Sequence, residues 1–130
     1  MKMEDLRDFL ELLDEFDEVQ RIKVQVDWNL EMGAITRRCY DLGAPAALFE
    51  NIKGYPHGFR ALGAPLGASK KRGHSLFART ALALSLRPSA SAKEIMQTYL
   101  QRRENLIKPI VVSTGPCKEN IMKGADVDVL

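Results

Sequence analysis

A chain of 130 residues has room for one domain around one hydrophobic core, and its 45% apolar content excludes disorder over most of its length. Its 19 Lys and Arg against 17 Asp and Glu leave a net charge of +2, without the basic excess of a dedicated nucleic-acid binder. Cys39 and Cys117 lie far apart and there are 2 histidines, His57 and His74, so no zinc-ligand spacing exists.

The N-terminal residues carry acids too early for a secretory signal, and the longest apolar run, near residues 80–86, is far too short to cross a bilayer. The expectation is a soluble cytoplasmic protein with both thiols free. Leu6, Phe9, Leu10, Leu13 and Phe16 fall on one face of an amphipathic first helix, roughly Met3 to Phe16. The alternation from Arg21 to Val26 predicts a strand with one buried face. Asp27 or Asn29 can cap a second helix with Leu30, Met32, Ala34, Ile35, Cys39 and Leu42 as its apolar set. Gly43 suits its C-cap, with Pro45 just beyond. Ala47–Ile52 reads as a short strand, the Gly54-Tyr55-Pro56 turn closes it, and Phe59–Leu62 is its sheet neighbour. A loop over Gly63–Gly73 precedes a third helix with Leu76, Phe77, Thr80, Ala81 and Leu84 on one face. Ser91 and Glu94 form a capping box that opens a fourth helix through Ile95, Met96, Tyr99 and Leu100. Pro109–Ser113 is the last predicted strand. The expected fold is a single mixed α/β domain over residues 1–130, with about four helices packed on a small mixed sheet of about four strands.

Few residues carry chemistry. The loop Gly63–Lys70 invites comparison with a phosphate cradle, but only three residues separate Gly63 from Gly67, and Ala68-Ser69 intervene before Lys70. A flexible surface loop is the better reading. Lys70, Lys71, Arg72, His74 and Arg79 form the densest basic cluster, able to hold a phosphate or carboxylate but more simply read as a solvated helix entrance. Glu31 and Glu119 are the acids worth attention. Glu31 has a plain role in the first turn of its helix, where an acid meets the helix dipole favourably. Neither histidine has a visible partner. Cys117, beside Lys118, lacks a convincing base and is expected to be a buried, inert thiol. Residue chemistry alone therefore singles out no reaction and no catalytic, cofactor or metal residue.

Several segments, taken in order, resemble the N-terminal domain of the UbiD-like decarboxylases. They are residues 5–10, Leu30-Glu31 with Ala34-Ile35-Thr36-Arg37-Arg38, residues 48–54, and Thr114-Gly115-Pro116-Cys117-Lys118-Glu119-Asn120. Leu30-Glu31 with Ala34-Ile35-Thr36-Arg37-Arg38, Leu62-Gly63-Ala64-Pro65 and the run from Thr114 to Asn120 are similar in particular to the fungal ferulic acid (phenylacrylic acid) decarboxylases. The resemblance implies a reversible, non-oxidative decarboxylase that uses prenylated FMN, a divalent metal such as manganese, and potassium at the flavin phosphate. Its substrates would be aromatic or cinnamic-type acids. It implies an N-terminal α/β domain packed on a split-barrel cofactor domain, with a C-terminal domain driving dimerisation. The family's metal ligands, flavin contacts and Glu-Arg-Glu network match no position here, so Arg37, Arg38 and Lys53 read as surface or interdomain contacts.

The open run after Gly115 reads as the front end of a larger machine, and the chain alone is expected to be inactive. The alternative is a stand-alone regulatory or interaction domain that binds a small anion through Lys70, Lys71 and Arg72. A nucleic-acid module is disfavoured by the balanced charge and the lack of interleaved aromatics.

Overall fold

The computed structural model describes residues 3 and 5–127. The first helix, α1 (Leu6–Glu15), starts where the Asp5 carboxylate accepts the backbone N–H groups of Arg7 at 2.6 Å and Asp8 at 3.3 Å. It buries Phe9, Leu12 and Leu13, while Leu6, assigned above to the apolar face, stays 58% exposed one turn too early to reach the core. Asp17 takes a left-handed conformation (φ 51°), which turns the chain into β1 (Val19–Ile22).

The helix α2 (Glu31–Leu42) follows, and then β2 (Ala46–Phe49) returns parallel to β1, pairing Val19 with Ala46 and Ile22 with Phe49. The third strand, β3 (Ala61–Gly63), runs antiparallel to β2, so the sheet order is β1-β2-β3. As the central strand, β2 is buried throughout, and its alternate residues face two cores. Ala46 packs with Phe9 and Leu13 of α1 and with Leu82, while Ala47 and Phe49 pack with Val26, Met32 and Ile35 beneath α2.

The predicted strand Arg21–Val26 starts two residues early and breaks after Ile22. Four steps from Ile22 to Val26 lie opposite three steps from Phe49 to Ile52, where one isolated parallel bridge resumes the pairing. The extra residue bulges the strand, and Val24 is left 72% exposed. Neither predicted cap holds α2. Leu30 occupies the N-cap without a side-chain bond, while the Asp27 carboxylate accepts from Asn29 N at 2.9 Å and pairs with Lys53 at 2.7 Å. At the other end Gly43 (φ 62°) closes α2, as expected.

The third helix, α3 (Ala78–Ala83), begins after Leu76 and Phe77, which therefore stay exposed; its buried face is Ala78, Arg79, Ala81 and Leu82. The helix α4 (Ala92–Arg103) carries the expected capping box between Ser91 and Glu94 but buries none of its residues. The predicted strand Pro109–Ser113 does not form. A strand needs a neighbouring backbone to pair with, and this segment meets none among the described residues, leaving Ile110 at 88% and Val111 at 95% exposure. The sheet accordingly has three strands rather than four. No helix among the described residues is long and apolar enough to cross a membrane.

Candidate functional site

Two features stand out: a buried charge cluster and an open cleft. The cluster centres on Glu18, which the tight exit from α1 places under the loop that follows β3. Its carboxylate is 1% exposed and accepts from Ser69 Oγ at 2.6 Å, His74 Nδ1 at 2.5 Å and Arg79 Nη1 at 2.8 Å. Burial alone would push the Glu18 carboxyl up, but these three hydrogen bonds and the guanidinium charge outweigh it and hold the group below the ordinary carboxylate range. Arg79 is itself 0% exposed, and its Nη2 donates to Ala68 O at 2.9 Å. A Cβ at Gly67 would stand 2.6 Å from that same Nη2, so the guanidinium needs the glycine above it.

This geometry corrects two expectations. The loop Gly63–Gly73 is not a flexible surface loop, because Ser69 bonds Glu18 and Leu76 and the buried Arg79 holds it from below. Nor is the basic cluster a solvated helix entrance. Lys71 Nζ donates to Phe16 O at 2.8 Å and pairs with Asp17 at 2.7 Å, while His74 and Arg79 serve Glu18. Of this cluster, Lys70 and Arg72 are the side chains without a partner among the described residues, which weakens the anion-binding alternative. The key residue, Glu18, drew no attention in the sequence. The signal that points to it is Arg79, a lone charge inside the apolar run Ala78–Ala83, since such a charge needs a buried partner.

The remaining candidates stay apart. Glu31 occupies the first turn of α2 and accepts from Asp27 N at 2.7 Å. Glu119 is exposed, and so is Cys117, contrary to the buried thiol expected, because the segment around it joins neither core cluster of the described residues. Arg37 pairs with Asp41 at 3.0 Å on the surface of α2, Arg38 is exposed, and Lys53 pairs with Asp27.

Among the described residues no three His, Cys, Asp or Glu converge on a metal-sized site. The glycine loop cannot cradle a phosphate either, since the Gly67 amide already bonds Ala64 O and Arg79 fills the space beneath it. Among the described residues, then, no carboxylate–imidazole set suits manganese, and the glycine loop offers no open amides to a flavin phosphate.

The cleft, of about 560 Å³, opens between the start of α1 and β3. Leu10, Leu48 and Leu62 form its floor, Leu6 and Phe59 its walls, and Arg7, His57 and Arg60 part of its rim.

Residues 10–99 match the model of the 3-octaprenyl-4-hydroxybenzoate carboxy-lyase N-terminal domain. Over 123 residues the chain is 38% identical to ferulic acid decarboxylase 1 of Saccharomyces cerevisiae, covering 91% of this chain and 24% of that protein. Over 128 residues it is 38% identical to the pyrrole-2-carboxylic acid decarboxylase of Pseudomonas aeruginosa, covering 96% and 25%. The vanillic acid decarboxylase of Sedimentibacter hydroxybenzoicus in its open form superposes with a TM-score of 0.65 at 31% identity, over 95% of this chain and 25% of that one. Its closed form gives 0.68 at 29% identity, over 92% and 24%. The chain thus spans about a quarter of the length of these relatives.

Proposed function

The chain belongs to the N-terminal domain family of the 3-octaprenyl-4-hydroxybenzoate carboxy-lyases, the UbiD family, and from that membership we propose that it is the scaffold part of a reversible, non-oxidative decarboxylase. The substrates are aromatic or arylacrylic carboxylic acids, and the setting is the cytoplasm. The observation that carries this reading is the identity of 38% sustained over 91–96% of the chain with two decarboxylases.

In this reading prenylated FMN, Mn2+ and K+ are held by further domains of the enzyme. Dimerisation belongs to such a domain as well. This chain contributes a rigid α/β body whose apolar surface packs against its neighbour. That surface is supplied by Met96, Tyr99 and Leu100 on α4, each about half exposed, and by Ile107, Ile110 and Val111 beyond it.

The test is complementation. A relative stripped of its corresponding N-terminal quarter, loaded with prenylated FMN and Mn2+, is assayed for CO2 release from cinnamate with and without this chain. Restored release on adding the chain, with none from the chain alone, is the expected result. Release by the isolated chain, or failure of the chain to associate with the stripped enzyme, would overturn the scaffold reading.

A further inference from the structure

The cleft beside β3 combines an apolar interior with a positive charge, Arg60, that no described residue pairs. Its floor is preformed: Leu48 belongs to the central strand and is 1% exposed, and Leu62 pairs with it across the sheet. Its wall is held too, since the Phe59 ring lies 5.8 Å from that of Tyr55 and its backbone N–H donates to Pro56 O at 3.3 Å. Yet Phe59 remains 57% exposed, an aromatic face with no cover. A volume of about 560 Å³ lies within the range of small-molecule sites.

The charges decide the class of ligand. Asp5 and Arg7 cancel each other across 2.9 Å. Glu50 shares an adjoining depression with Arg60, but its carboxylate is held by Arg21 at 2.7 Å. Arg60 has no ion-pair partner among the described residues, which leaves the rim with one guanidinium to spare.

We propose that this cleft binds a small apolar monocarboxylate, its carboxylate on Arg60 and its hydrocarbon body between Phe59 and the leucine floor. A guanidinium matches a carboxylate in two parallel hydrogen bonds, and a single spare charge suits a monoanion better than a phosphate dianion. The assignment rests on this chain's own residues and stands apart from the decarboxylase reading.

Benzoate is the probe, titrated into the 130-residue chain while amide and methyl shifts are followed by NMR. Saturable shifts confined to Leu48, Leu62, Phe59 and Arg60 are expected, with benzyl alcohol and acetate failing to saturate. Arg60→Gln and Phe59→Ser each weaken binding about tenfold. Both residues are exposed, so unchanged shifts beneath α2 certify the fold of each variant. Absence of saturable shifts would overturn the proposal. So would unchanged affinity in Arg60→Gln, or inorganic phosphate binding as tightly as benzoate.

Discussion

A carboxylate as enclosed as that of Glu18 is tolerated only because three donors, Ser69, His74 and Arg79, reach it. Removing one side of such a buried pair strands the other charge, so Glu18→Ala should cost about 3–5 kcal/mol in urea unfolding. Because the folded-state pKa of Glu18 is lowered, its stabilisation is fully present above the unfolded-state value and is lost as pH falls through the folded one. Unfolding free energies taken between neutral pH and about pH 3 should therefore decline less steeply in Glu18→Gln than in the parent chain. An identical decline in both would refute the linkage. Gly67 belongs to the same unit. An added methyl would meet Arg79 Nη2 at 2.6 Å and Tyr40 Cδ1 at 3.2 Å, and Gly67→Ala should destabilise by about 1–3 kcal/mol, the usual cost of overpacking. Stability equal to the parent's would show that Arg79 can shift without losing its bonds.

Of the four α-helices, α4 packs least against the rest of the fold. Arg102 Nη2 reaches Leu84 O at 2.7 Å and Arg87 pairs with Glu94 at 3.0 Å, but none of its own residues is buried. Its capping box was legible in the sequence because the Ser91–Glu94 bonds are local, and its formation depends correspondingly on them. Ser91→Ala should lower amide-exchange protection across Ala92–Arg103 by about 1 kcal/mol while global unfolding stays nearly unchanged. Equal loss in both measurements would mean that α4 unfolds together with the core. The strands were less legible. The alternation Ile22, Val24, Val26 reads as one regular strand, and only its pairing with β2 reveals the bulge that sends Val24 to solvent.

At the scale of the whole molecule, the two apolar clusters flanking β2 include no residue beyond α4. Replacing Ile107, Ile110 and Val111 together by Ser should leave the unfolding midpoint within the small range typical of exposed sites, about 0.5 kcal/mol per residue. The same variant should lose its association with an N-terminally stripped decarboxylase. A large fall in stability would instead mean that this segment folds back onto the domain in solution.

The sequence by itself determined the four helices, the Gly43 and Ser91 termini and the family, because helix periodicity, capping and motif order all act between residues near in the chain. Tertiary structure decided the rest. Glu18 meets a partner 61 positions further along the chain, Arg79, and no local pattern announces a pairing that depends on where two distant elements pack. Pro109–Ser113 has the composition of a strand and no neighbour to bond, so its apolar residues stay in water. The cleft beside β3 arises in the same way, from a strand edge and a helix start that only the folded chain brings together.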